Sequence, residues 1–250
     1  MAQKCSSFIP VWGKAAIRGA RKLVLRLLYR GKGRWCPVCC RPSRRFSRYG
    51  LLSREDAQCS FCRSLERNRF VWLYFSEQTD LFDGRKKTML HVAPEECFEH
   101  RLKHLLRDGY VTADLLNPRA MVKMDITNIQ YPDESFDVIY CSHVLEHVID
   151  DKRAMREFHR VLKSDGWAIL LVPISVGVTY EDFSIVTPQD RLRAFGQEDH
   201  VRLYGLDYVD RLAEAGFNVK TVKPPDLFAE DDVVRMRLTP ASGEIFYCTK

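Results

Sequence analysis

Residues 136–174 read FDVIYCSHVLEHVIDDKRAMREFHRVLKSDGWAILLVPI. The run Phe136–His143 has the length and apolar content of a buried strand. From about Asp151 to Lys163 the period changes: Ala154, Phe158, Val161 and Leu162 fall on one helical face, with Asp150 and Asp151 at its positive end. Trp167–Ile174 is again continuously apolar, the pattern of a strand covered on both faces. Strand, helix and strand within 39 residues define a parallel crossover unit.

The same alternation extends outward. Thr88–Ala93 reads as a strand followed by a helix through Leu106. Tyr110–Leu115 and Val122–Ile126 read as the next two strands. After residue 174 come a helix over Tyr208–Ala215 and strands at Phe217–Lys223 and Ile245–Thr249, with irregular stretches at about 175–200 and 224–244. This predicts an α/β fold with a mostly parallel sheet, whose ligand sits beyond the C-terminal strand ends. The longest apolar run, Trp167–Ile174, is far short of the roughly 20 residues a membrane-spanning helix needs.

Ahead of this domain the composition changes. Residues 1–54 hold 14 Lys and Arg and no acidic residue. Residues 55–250 hold 25 basic and all 33 acidic groups, a net of −8 beneath an overall charge of +6. Over residues 11–30, Ala16, Ala20, Leu23, Val24, Leu27 and Leu28 share a helical face opposite Lys14, Arg18, Arg21, Lys22, Arg26 and Arg30. Such a basic amphipathic helix docks on its own protein, lies on an anionic membrane surface or grips RNA phosphates.

Cys36-Pro-Val-Cys39 and Cys59-Ser-Phe-Cys62 are separated by 19 residues. Each CxxC turn aims two sulfurs at one point, and this spacing lets the two turns meet around a tetrahedral Zn²⁺. Cys36, Cys39, Cys59 and Cys62 are the expected ligands of a structural zinc ribbon. The nine cysteines form no disulfide framework and point to a reducing, cytoplasmic setting, with attachment at the membrane periphery through the leader left open. Arg41, Arg44, Arg45, Arg48 and Arg54 interleave with Phe46, Tyr49 and Phe61, a mixture suited to RNA contact or to an ordinary solvated surface. Ser64 is the expected cap of a helix reaching about residue 76, with Leu65, Phe70, Leu73 and Tyr74 against the body. The chain thus divides into a basic helical leader (1–34), a zinc ribbon with its connecting helix (35–76) and an α/β domain (77–250).

The runs Val122-Lys-Met-Asp125-Ile126, Tyr131-Pro-Asp-Glu-Ser-Phe136-Asp137, His143-Val-Leu-Glu146-His147 and Arg160-Val-Leu-Lys-Ser-Asp-Gly166 resemble class I S-adenosylmethionine-dependent methyltransferases of the type 11 group, over residues 86–250. The cysteine-rich front end resembles one seen in some bacterial methyltransferases, including certain ribosomal RNA base methyltransferases. The resemblance implies a Rossmann-like sheet of seven strands, the last antiparallel and inserted beside the fifth. It implies that Asp114, 21 residues past Ala93, holds the ribose hydroxyls, and that Asp125 and Ile126 hold the adenine. It places Cys141, Ser142 and His143 along the cofactor and the methyl-transfer channel. The first motif departs from the family: His91-Val-Ala93-Pro94-Glu95 contains no glycine, Ala93 stands at the first glycine position, and His91 replaces the usual acidic residue. Ala93 is tolerable there with a negative φ, and Glu95 is the residue to take the cofactor's ammonium.

The expected activity is methyl transfer from S-adenosylmethionine to an unidentified small-molecule, glycan or lipid-linked acceptor. His143 and His200 are the expected candidates for a base, should the acceptor need one, and His147 has a structural role. Two other readings compete. One is an RNA methyltransferase that holds its substrate through residues 1–54. The other is a non-enzymatic zinc-ribbon adaptor whose methyltransferase fold has lost its cofactor.

Overall fold

A computed structural model describes residues 24, 27–50 and 53–250 of the chain. The amphipathic leader helix expected over residues 11–30 lies almost wholly outside the described residues. Among the described residues no helix is long and apolar enough to cross a membrane.

The four-cysteine module is two small antiparallel hairpins. Strand β1 (Arg34–Cys36) pairs with β2 (Arg41–Ser43), and β3 (Ser47–Tyr49) with β4 (Arg54–Gln58). Helix α1 (Glu66–Glu77) follows. Its cap is not Ser64: the Asn68 side chain accepts the Leu65 N–H at 2.9 Å, and the Ser64 hydroxyl lies 3.2 Å from both Cys36 Sγ and Cys62 Sγ. The aromatic face of α1 is buried as its sequence predicts. Phe75 packs edge-on against Tyr140, with ring centroids 5.4 Å apart, and Trp72 stacks on Phe98.

The large sheet comprises β5 (Met89–Val92), β6 (Tyr110–Asp114), β7 (Val122–Lys123), β8 (Phe136–Ser142), β9 (Leu162–Leu171), β12 (Asn218–Val222) and β13 (Ile245–Thr249). Their spatial order is β12-β13-β9-β8-β5-β6-β7. β5, β6, β7, β8 and β9 run parallel, whereas β13 is antiparallel to both β9 and β12. This is the expected fold: a Rossmann-like, mostly parallel seven-stranded sheet with the last strand antiparallel and inserted beside the fifth. The crossovers are helices α2 (Glu96–Leu106), α3 (Asp151–Val161) and α5 (Tyr208–Glu214). Asp150 caps α3 by accepting the Arg153 N–H at 2.9 Å. Gly109 precedes β6 so tightly against Lys87 that a Cβ would lie 2.1 Å from the Lys87 carbonyl oxygen, which no side chain could accommodate.

The stretches expected to be irregular carry structure. β10 (Tyr180–Glu181) pairs with β11 (Arg202–Leu203), and α4 (Pro188–Phe195) lies between them. Helices α6 (Pro224–Leu227) and α7 (Glu230–Met236) occupy the second stretch. The module and the sheet domain share one core through Arg69, which is fully buried in α1. Its guanidinium donates to the carbonyls of Met236 (2.7 Å), Ala57 and Ser64 (3.0 Å each) and Arg237 (3.3 Å), and lies over the Phe46 ring. Burial lowers its pKa from the ordinary arginine value, while the nearby sulfurs and Glu66 act to keep it charged.

Candidate active site

The strand order reverses direction at β5, which has β6 on one side and β8 on the other. Beyond the C-terminal ends of these strands, where an open α/β sheet binds its ligand, lies a cleft of about 420 Å³. Its walls include Ala93, Asp114, Leu116, Asp125, Ile126 and His143.

Two carboxylates enter this cleft, each already half committed. Asp114 Oδ1 accepts the N–H groups of Leu116 and Asn117, both at 2.8 Å, and so closes the turn after β6. Asp125 Oδ1 accepts the Thr127 N–H at 2.9 Å and its hydroxyl at 2.8 Å. In both residues Oδ2 has no hydrogen-bond partner among the described residues. Each aspartate is therefore a turn former that lines the cleft with one carboxylate oxygen uncommitted. Ile126 is buried and forms part of the wall, with Leu115 and Leu116 exposing apolar surface beside it. The two leucines were not anticipated. The only signal for them is that apolar residues continue past the strand's terminal aspartate into a turn containing Asn117 and Pro118.

The glycine-free first motif departs from expectation. Ala93 has φ +48°, in the left-handed region, and not the negative φ that would have made its Cβ harmless. His143, at the end of β8, has φ +55° and lines the same cleft. His91 does not line the cleft, because it is fully buried in β5. The Tyr110 hydroxyl and His91 Nδ1 are 2.7 Å apart, as are His91 Nε2 and Glu95 Oε2. With the tyrosine as donor, Nε2 carries the proton that bonds Glu95. Glu95 Oε1 accepts from Tyr140 (3.1 Å) and Asn68 (3.3 Å), so both carboxylate oxygens are engaged within the protein. A cofactor ammonium would have to share Glu95 with these donors. Burial opposes ionisation of Glu95, but the His91 bond and charge, with Arg67 and Tyr140, hold its carboxyl below the ordinary glutamate value.

Cys141 is fully buried in the strand and does not line the cleft. Burial, with the charges of Glu146 and Glu95, pushes its thiol well up. Ser142 is also buried, and its hydroxyl is unpartnered. Of the two histidines considered as bases, His143 lines the cleft, with Nδ1 3.2 Å from Glu146 Oε1. His200 does not, because it packs edge-on behind His147 at 4.7 Å between centroids and is buried. Burial, then the neighbouring His147, lowers its pKa. His147 lines the cleft with Nδ1 3.2 Å from Asp199 Oδ2.

The 145–149 turn that carries Glu146 and His147 is held by Arg202, a residue with no sequence signature. Fully buried, Arg202 donates to the carbonyls of Leu145 (2.9 Å), Val148 and Ile149 (2.8 Å), and to Glu181 (2.9 Å). Asp151, expected only as a helix-dipole partner, is buried beneath it. It accepts from the Tyr204 hydroxyl at 2.6 Å and from Arg211 at 3.0 Å.

At the other end of the chain, Cys36, Cys39, Cys59 and Cys62 converge, with all four sulfurs within 4.8 Å of one another. An all-sulfur donor set in mutual reach fits a tetrahedral Zn²⁺. Phe46, one of the aromatics expected either to contact RNA or to belong to an ordinary small domain, is buried under Arg69. Arg54 and Arg48 pair with Glu66 and Glu55, whereas Arg41 covers the Phe61 ring.

Residues 89–170 match the family model described as a methyltransferase domain. The chain is 26% identical over 167 residues to a demethylmenaquinone methyltransferase of Alkalihalophilus pseudofirmus, covering 64% of this chain and 61% of that protein. Over 44 residues it is 43% identical to the uncharacterised methyltransferase YcgJ of Bacillus subtilis, covering 18% of this chain and 17% of that protein. The chain thus spans less than two thirds of the length of either relative. Among solved structures it is similar to an S-adenosylmethionine-dependent methyltransferase from Mesorhizobium loti. That match has 12% identity and a TM-score of 0.47, and covers 72% of this chain and 97% of the other.

Proposed function

We propose that this protein is an S-adenosylmethionine-dependent methyltransferase acting on a small-molecule, glycan or lipid-linked acceptor. The observation that carries the reading is the pair of half-committed carboxylates, Asp114 and Asp125, in a cleft at the switch point of a methyltransferase sheet. Asp114 Oδ2 would accept from the ribose hydroxyls and Asp125 Oδ2 from the adenine amine, with Ile126 and Leu116 covering the ring. Arg67, whose Nε is buried and unpartnered and whose charge acts on Glu95, is the cation we assign to the cofactor's carboxylate. When bound, the sulfonium supplies both the electrophilic methyl group and its own leaving group, so the protein's work is positioning and exclusion of water. His143, which lines the cleft with Nδ1 beside Glu146, is the candidate to take a proton from a hydroxyl or amine acceptor. The four-cysteine module holds a structural Zn²⁺, with Ser64 hydrogen-bonded to two of the ligating sulfurs.

Calorimetric titration with S-adenosylmethionine tests this reading. Asp114→Asn keeps an oxygen for the turn and removes the negative charge, so it isolates the cofactor contact. Loss of one charge-assisted hydrogen bond, about 1.5–3 kcal/mol, weakens binding by roughly 10–100-fold. Asp114→Ala also opens the turn and weakens it further. Absence of binding to the folded, zinc-loaded chain would overturn the proposal.

A further inference from the structure

We infer that Glu146, His147 and His200 form a divalent-cation site in the wall of the cleft, one that engages an acceptor through oxygen. The inference about the acceptor rests on the methyltransferase reading above; the cation site itself does not.

One donor atom from each of the three residues lies within 4.8 Å of the others. Two imidazoles and one carboxylate are the donor set that first-row divalent cations take with open positions left for another ligand. Two of the donors are otherwise unexplained. Glu146 is 1% exposed and His200 5% exposed, yet Glu146 Oε2 and His200 Nδ1 have no hydrogen-bond partner. A buried carboxylate oxygen and a buried imidazole nitrogen left without partners carry a desolvation cost of about 1–3 kcal/mol each. A cation binding both at once removes that cost. Metal bonds of about 2.0–2.2 Å need only a modest contraction of the cluster.

The supporting contacts are those a metal site needs. His200 packs edge-on against His147, with ring centroids 4.7 Å apart, which fixes the plane of its ring. His147 Nδ1 is held by Asp199, and Glu146 Oε1 by His143. The backbone ties the three together: the Val201 N–H donates to the Glu146 carbonyl at 2.9 Å, and Arg202 fixes the 145–149 turn from below. The site also has a way out to substrate. His143, His147 and Asp199 line the cleft, so open coordination positions would face the volume in which an acceptor meets the methyl group. The class of acceptor this selects is one presenting a hydroxyl oxygen, preferably with a second oxygen beside it to chelate the cation.

The test uses the full chain with its four-cysteine module already loaded with zinc. It is dialysed against Co²⁺, with zinc and cobalt counted separately per chain and S-adenosylmethionine affinity measured on the same samples. The expected result is one zinc and one cobalt per chain. Cobalt affinity should fall at least 100-fold in Glu146→Gln/His200→Gln, with the zinc count unchanged. Because that double variant alters buried residues, half-exposed His147→Ala is measured beside it and should weaken cobalt binding at least 10-fold. No cobalt on the folded wild-type chain, or cobalt retained undiminished in the folded variants, overturns the cation site. Cofactor binding without cobalt leaves the methyltransferase reading standing and removes this inference. Cobalt binding without cofactor retains the cation site and overturns its role toward an acceptor.

Discussion

Ala93→Gly should make this protein more stable, although glycine is ordinarily a destabilising replacement. Ala93 sits at φ +48°, where an L-residue with a Cβ is unfavourable by roughly 1–2 kcal/mol relative to the right-handed region. Pro94 adds to the strain, since a residue before proline is already driven toward extended conformations. Glycine removes that cost. Against it stands the greater freedom of glycine in the unfolded chain, roughly 0.4–1 kcal/mol, and a small loss from one half-buried methyl group. The balance is a gain of about 0.5–1 kcal/mol, or roughly 1–4 °C in melting temperature for a chain of this size. Ala93→Val provides the opposite arm. A β-branched side chain at the same φ is a genuine outlier and should lower stability by more than about 1 kcal/mol. Urea denaturation of zinc-loaded protein, read by circular dichroism, gives both values, and calorimetry gives their cofactor affinities. Equal stability of the alanine and valine forms, or a loss of about 1 kcal/mol in the glycine form, would refute the claim that Ala93 is strained.

Three further outcomes follow from the contacts described. Chelation of the proposed zinc should lower the melting temperature and loosen residues 34–64, and Cys62→Ser should reproduce the effect; an apo form that melts like the loaded one would exclude a structural metal. Arg202→Met releases three buried carbonyls and leaves Arg211 as the remaining arginine on Glu181 and Asp151, so urea denaturation should show a loss of at least about 3 kcal/mol, unrepaired by Arg202→Lys, whose single ammonium cannot span the same acceptors. Glu95 has a folded pKa depressed below 4.5, so its stabilising contribution is fully present above about pH 4.5 and is lost as pH falls through the lowered folded value. The acid limb of a stability–pH curve should therefore be flatter in Glu95→Gln than in the wild type, and His91→Gln should flatten it in the same direction.

The sheet was legible because each parallel strand is a short apolar run between polar turns, and β5, with four buried residues, is the clearest case. Val122–Ile126 was read too long as a strand. Only Val122 and Lys123 pair with β6, after which the chain turns so that Asp125 and Ile126 reach the cleft. Helix α4 lies in a stretch expected to be irregular, although its sequence carries a helix signal. Thr187 accepts the Asp190 N–H, Pro188 opens the helix and left-handed Gly196 closes it, a complete start-and-stop pattern within ten residues. Helix α7 opens on Glu230, Asp231 and Asp232, an acidic run suited to a helix N-terminus but read as loop. The buried charges were not legible at all. Arg69 and Arg202 bond mainly to backbone carbonyls, in Arg69's case as far as 168 residues away, and a carbonyl leaves no mark in sequence. No spacing in the sequence links His200 to Glu146 and His147, more than fifty residues earlier, so their convergence is visible only in the fold.

The cleft shows why a glycine-free first motif need not mean a lost site. The two left-handed residues at its base are each tied to the end of a neighbouring strand: the Ala93 N–H donates to the Ala113 carbonyl and the His143 N–H to the Leu171 carbonyl, both at 2.8 Å. The parallel ladder therefore extends one residue beyond the strand, into the residue that turns away from it. Strain of this kind persists where the surrounding structure over-determines the conformation, and here the sheet does so on both sides of the switch point. The carboxylates follow the same logic. Asp114 and Asp125 each spend one oxygen on fixing their own turn, so the other oxygen is presented with little freedom left to lose on binding. A glycine-rich loop brings backbone close to a ligand by being small. This chain instead builds the base of its cleft from larger residues held rigidly, at the cost of the strain that Ala93→Gly measures.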